Sequence, residues 1–119
     1  MKRLIKTAVS ITLVFAAQTA IACDYPNRVL IPNGNTATKE DMLEGQRAVK
    51  QFVTEMEAYL KCIEDEEAAA RTLMEEMSPE DEEERETVFN KRYNAAVDEM
   101  ERTAAQFNAE VQSYRAQGQ

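Results

Sequence analysis

The chain has 119 residues, with 14 Lys+Arg against 22 Asp+Glu, no histidine and two cysteines, for a formal net charge of −8. That length holds one domain, and the lack of histidine removes the usual general base together with the commonest transition-metal ligand. The acidic balance repels phosphate backbones and anionic bilayers, which argues against nucleic acid and membrane surfaces as partners.

The first segment reads as a secretory signal. Met1-Lys2-Arg3-Leu4-Ile5-Lys6 is basic, Ala8 to Ala17 is apolar apart from Ser10 and Thr12, and Ala20-Ile21-Ala22 supplies the small residues of a cleavage site. As a membrane span the apolar core is short, since about 20 apolar residues are needed to cross the hydrocarbon. Cleavage after residue 22 would leave 97 of the 119 residues. Lys2, Arg3 and Lys6 go with the signal, so 11 Lys+Arg face 22 Asp+Glu and the net charge becomes −11. The expected location is the periplasm.

Cys23 would then be the first mature residue, and Cys62 is the only other cysteine. In an oxidising compartment two cysteines favour one disulfide. Closing that loop would stabilise the fold by about 4 kcal/mol in the chain-entropy model. The reach is adequate: 15 steps from Cys23 to Thr38 span up to about 50 Å, against about 36 Å of helix from Thr38 to Cys62. The rival is acylation of Cys23, because Ala20-Ile21-Ala22-Cys23 resembles a lipobox, though with alanine where leucine is usual. In that case the protein would be a lipid-anchored envelope spacer. No C-x-x-C is present, so a redox-active pair is the weaker reading.

Residues 23–37 hold Pro26, Pro32 and the turn signal Pro32-Asn33-Gly34, and they also carry Val29, Leu30 and Ile31. Prolines forbid helix here and the apolar run is too long for a free tail, which predicts an extended strap laid on the rest of the fold. Thr38, followed by Asp41 at the third helical position, is a capping-box variant that starts a helix. The pattern carries that helix to Met77, with Gly45 as its only glycine. Met42, Val49, Met56, Ile63, Ala70 and Met77 share one heptad position, and Val53, Leu60 and Met74 the complementary one, where Gln46 and Glu67 are polar breaks. Phe52, Tyr59 and Leu73 widen the stripe.

Ser78-Pro79-Glu80-Asp81 stops one helix and caps the next, with serine at the N-cap, proline at N1 and acids at the positive end of the dipole. In the second helix Phe89, Tyr93, Val97, Met100, Ala104, Phe107, Val111 and Tyr114 recur at spacings of three and four until the pattern runs out near Gln117. The fold class is therefore all-α: residues 38–117 form a long antiparallel, coiled-coil-like hairpin that turns near Ser78-Pro79. Folding the repeats back on each other pairs Ile63 with Tyr93, Met56 with Met100, Val49 with Phe107 and Met42 with Tyr114, each pair of numbers adding to 156. A register slipped by one turn stays open. Asn94 and Asn108, beside the second stripe, are expected to satisfy the strap's backbone.

The turn is strongly acidic. Residues 64–86 hold twelve Asp+Glu and only Arg71 and Arg85 to answer them. Crowding of this kind is expected to raise the pKa of some of these carboxylates. A solvated charged face explains the run better than a weak divalent-cation site, since it matches no EF-hand loop. Met42, Met56, Met74, Met77 and Met100 read as core packing rather than a copper site. The mature serines, Ser78 and Ser113, have no histidine to activate them, and no glycine-rich phosphate loop exists. The residues thus offer no catalytic set, no metal ligands and no cofactor motif.

Cys23-Asp-Tyr-Pro26, Ile31-Pro32-x-Gly34, Thr38-Lys-Glu-Asp-Met42, Gly45-Gln46-x-x-Val49-Lys50, Met56-Glu57-x-Tyr59-Leu60-x-Cys62 and Tyr93-Asn94-Ala-Ala-Val97-Asp98-Glu99-Met100 resemble a family of small uncharacterised exported proteins of proteobacteria. The resemblance implies a helical hairpin with a cysteine-closed strap, and it implies no activity. Phe52, Tyr59, Leu73 and Phe89 exceed what one helix–helix seam needs. The reading is accordingly a non-enzymatic binding or interaction module, with an unknown protein partner or self-association as the use of the surplus face.

Overall fold

The computed structural model describes residues 22–74 and 76–118. The signal-peptide reading covers residues 1–22, of which 1–21 lie outside the described residues. Two helices follow the strap, α1 from Lys39 to Leu73 and α2 from Pro79 to Gln117, and no strand occurs among the described residues. The architecture is an all-α antiparallel hairpin with an extended N-terminal strap.

Both helix starts are set by local chemistry. At α1, Thr38 Oγ1 accepts the Asp41 backbone N–H at 3.2 Å while Asp41 Oδ2 accepts the Thr38 N–H at 2.8 Å, a reciprocal capping box. At α2, Ser78 Oγ accepts the Asp81 N–H at 3.2 Å, Pro79 occupies the first turn, and Glu80, Asp81 and Glu82 lie against the positive end of the dipole.

The end of α1 differs from expectation. It stops at Leu73, four residues before Met77, with Arg71 in its last turn. Continuing to Met77 would place Glu76 against the negative end of the dipole, whereas stopping at Leu73 leaves a guanidinium there. The early stop moves the register. Contacts between the helices join Glu67 to Arg85, Tyr59 to Arg92, Arg71 to Glu82 and Gly45 to Phe107, pairs whose numbers add to between 151 and 153 rather than 156. The seam is thus slipped by about one turn. In this register Ala96 joins the buried cluster around Met56, with Met100 packed against its edge, and Val49 and Phe107 share the other cluster. Ala96, Thr103 and Phe107 are the buried residues of α2.

Burial follows the seam. Phe52, Met56, Tyr59, Leu60, Ile63 and Ala96 form one core cluster, and Met42, Val49 and Phe107 another nearer the chain ends. Of the residues expected in the core, Val53, Phe89, Tyr93, Val97, Met100, Ala104, Val111 and Tyr114 are only half-buried. Two helices and one strap cannot enclose a stripe that wide, so each of these side chains keeps an edge toward solvent. Tyr59, which widens the stripe, is buried, whereas Leu73 is exposed, and Ala96, Thr103 and Gly45 are buried although the periodicity did not single them out as core.

The strap runs extended over the hairpin. Val29 and Ile31 pack inward against the two clusters while Leu30, between them, is 93% exposed, the alternation an extended chain imposes.

Candidate interaction site

Three anchors decide how much of the hairpin the strap covers. The first is the disulfide between Cys23 and Cys62, whose Cα atoms are 5.7 Å apart. Next to it, Tyr25 meets Tyr59 edge-on with ring centroids 5.0 Å apart, and the Tyr59 hydroxyl accepts the Arg92 Nε–H at 2.8 Å.

The second anchor is Pro32 against Gly45. A Cβ on Gly45 would lie 2.8 Å from Pro32 Cγ and Cδ and 3.1 Å from Phe107 Cε2, so the one glycine of α1 marks where strap and both helices meet. The third is Gly34. Its N–H donates to Glu110 Oε2 at 2.6 Å, and Gln117 Nε2 donates to its carbonyl. A Cβ there would lie 1.9 Å from the Glu110 carbonyl oxygen, so the backbones approach too closely for any side chain. The turn that presents Gly34 is local: the Asn33 carbonyl accepts from the Thr36 and Ala37 N–H groups, and Asn33 Oδ1 from the Asn35 N–H. Glu110 and Gln117 therefore do what was expected of Asn94 and Asn108, which are exposed.

The staple at Cys62 ends the strap roughly three helical turns short of the end of α1. Beyond it the two helices have only each other. There a cleft of about 430 Å³ opens between them, with Ile63, Met74, Met77, Val88 and Phe89 as apolar lining and Glu66, Asp81 and Glu84 among its acids. Val88 is 62% exposed and Met74 43%, and Leu73, at the end of α1, is 84% exposed. The larger cleft, about 710 Å³ between strap and α1, is lined in large part by polar side chains such as Asn27, Arg28, Asn33, Asp41, Glu44 and Gln51.

Glu67 sits at the inner wall of the turn-end cleft, its side chain 17% exposed. Arg85 Nε and Nη2 donate to its two oxygens at 2.8 and 3.1 Å, and Arg71 Nε donates at 3.0 Å. The polar break in the α1 stripe is therefore an ion-pair site between the helices. Arg85 chiefly, against a smaller opposing effect of burial and with help from Arg71, holds the Glu67 carboxyl below its usual range. Crowding was expected to push tip carboxylates upward, and at Glu67 the shift runs the other way because both guanidiniums converge on it. Arg71 also reaches Glu82, at 3.4 Å. The two cations of residues 64–86 are thus engaged across the hairpin, Lys61 pairs with Asp65 and Arg92 with Glu66, and Glu80, Asp81, Glu83, Glu84 and Glu86 form an acidic rim along the start of α2.

Among the described residues no three His, Cys, Asp or Glu side chains converge to hold a metal ion, and no helix is long and apolar enough to cross a membrane. Val88 escaped the periodicity because it falls outside the stripe. The signal available for it was the adjacent apolar pair Val88-Phe89, since neighbours on a helix cannot both face one seam.

The fold and site define a small disulfide-stapled helical hairpin with an uncovered apolar end. Compared with protein-family models, with curated proteins and with solved structures, the chain matches none.

Proposed function

We propose that this chain is an exported, periplasmic, non-enzymatic binding module that engages a protein partner through the turn end of its hairpin. The observation that carries this reading is the uneven cover of the seam. Anchors at Cys62, Gly45 and Gly34 hold the strap over the part of the hairpin nearest its open end, where Leu30 and Leu43 remain exposed. At the other end Leu73, Met74 and Val88 are exposed with no strap over the seam, and Met77 lines the cleft beside them. Exposed apolar side chains gathered in one cleft cost solvation unless a partner covers them.

The disulfide fits an oxidising compartment, and the signal-like first residues fit export. A sulfur committed to Cys62 is not available for acylation, which weighs against the lipid-anchored spacer. The lack of converging carboxylates among the described residues weighs against a divalent-cation binder. A photo-activatable amino acid placed at Val88, and separately at Leu43, tests the reading in cells that export the protein. Discrete adducts from position 88 and none from 43 are expected. Equal labelling at both positions, or none at either, would contradict it.

A further inference from the structure

We infer that the turn-end cleft takes a basic amphipathic helix from another protein, its apolar side on Met74, Met77, Val88 and Phe89 and its Lys/Arg side on the surrounding carboxylates. This rests on the binding-module reading and names the chemistry of the partner. Two independent features meet at this place. The first is shape: beyond Cys62 the seam is an open groove between two helices, about 430 Å³ in volume, and a third helix is the element that fills such a groove with side chains at spacings of three and four. The second is charge. Residues 64–86 carry twelve Asp+Glu against two Arg, and both arginines are turned onto Glu67. Asp81 and Glu84 line the cleft itself, and Glu80, Glu83 and Glu86 are exposed on the same stretch of α2. Arg85 and Arg92 also line the cleft, but they are engaged by Glu67 and Glu66, so the excess charge around the apolar floor is negative and selects a partner of the opposite sign.

A second copy of this chain is the poorer occupant. Pairing two turn ends would bring two such acidic rims together, and like charges juxtaposed at an interface suppress association. A bilayer is poorer still, because anionic headgroups would face the same rim.

The test uses the mature, oxidised protein and a synthetic peptide of about five helical turns with leucines on one face and lysines on the other. Two controls accompany it: the same peptide with Glu for every Lys, and a sequence scramble of the same composition that lacks an apolar face. Titration is followed by fluorescence anisotropy. The Leu/Lys peptide is expected to bind, the Glu peptide to give no signal, and the scramble to bind on the order of tenfold more weakly or worse, one such factor being about 1.4 kcal/mol. Raising salt from about 0.05 to 0.5 M should weaken binding several-fold, since exposed pairs are screened within about 10 Å at 0.1 M. Val88→Asp should abolish binding and Leu43→Asp leave it unchanged, with circular dichroism melts showing that both variants fold. Equal binding of the scramble, or an unaffected Val88→Asp, overturns the inference. So does self-association of the protein that Val88→Asp removes. Failure of the peptide alongside a persistent Val88 photo-adduct overturns the basic partner and leaves the binding-module reading standing.

Discussion

Arg85 grips Glu67 across the hairpin with two guanidinium nitrogens, Nε donating to Oε1 at 2.8 Å and Nη2 to Oε2 at 3.1 Å. A bidentate pair of this kind has one good geometry, so it pins the register of two helices whose apolar stripes alone would accept a slip of one turn. Glu67→Gln should cost about 2 kcal/mol, the range for a hydrogen bond to a charged group, read from urea denaturation at neutral pH. The sign with pH follows from the shift. Arg85 lowers the folded pKa of Glu67 below that of an ordinary glutamate, so this stabilisation is complete above the unfolded value and is lost as pH falls through the folded one. The gap between wild type and Glu67→Gln should accordingly hold from neutral pH down to about 5 and close below it. A constant gap down to pH 2.5 would remove the ion pair from the account.

The register itself makes a separate prediction. Met56 and Ala96 are both fully buried and belong to the same cluster. Met56→Ala should cost about 2–5 kcal/mol and Ala96→Leu about 1–3 kcal/mol, the first by cavity and the second by overpacking. Combined, they exchange a large and a small side chain across the seam, and the double variant should recover part of the loss. Thermal melts of the four proteins decide it. Strictly additive effects of Met56→Ala and Ala96→Leu would contradict the slipped seam.

The two glycines where strap and hairpin meet should differ in tolerance. A Cβ on Gly34 meets backbone at 1.9 Å, whereas one on Gly45 meets the Pro32 ring at 2.8 Å and also improves helix propensity. Gly34→Ala should destabilise by about 1–3 kcal/mol or more, and Gly45→Ala by less, since about 1 kcal/mol of propensity offsets its clash. Hydrogen exchange should show residues 24–36 opening in Gly34→Ala. Equal stability of the two variants would mean that the strap does not dock as described.

Much of this architecture is legible in the sequence. Thr38 and Ser78 mark their helix starts because capping uses partners three residues away, and the heptad positions mark the seam. Where α1 ends is harder to read, since Leu73 is followed by neither glycine nor proline until Pro79, and the register inherits that uncertainty. Glu67 looks like a defect in the stripe until Arg85, 18 residues away, is placed beside it. Glu110 and Gln117 were passed over in favour of Asn94 and Asn108 because nothing local shows which polar residues of α2 face a strap more than 70 positions earlier. The turn-end cleft is a tertiary property: it exists because the Cys23–Cys62 staple stops the strap where it does.

That staple predicts the covalent state. Protein recovered from the envelope should begin at Cys23, weigh two hydrogen atoms less than the dithiol form and carry no acyl group. The Cys23→Ala, Cys62→Ala double variant should lose about 4 kcal/mol of stability on the loop-entropy estimate. An acyl adduct, or a native Cys62 thiol that reacts with maleimide, would overturn the stapled strap.

The central claim, that the partner surface is the turn end and not the sealed part of the hairpin, can be measured with the methionines. Met74 and Met77 line the cleft, Met42 and Met56 are buried beneath the strap-covered clusters, and Met100 is packed against one of them. In protein carrying ¹³C-methyl methionine, titration with the Leu/Lys peptide should shift the Met74 and Met77 methyl signals and leave those of Met42, Met56 and Met100 in place. Shifts at Met42 or Met56 with Met74 and Met77 unmoved would contradict it.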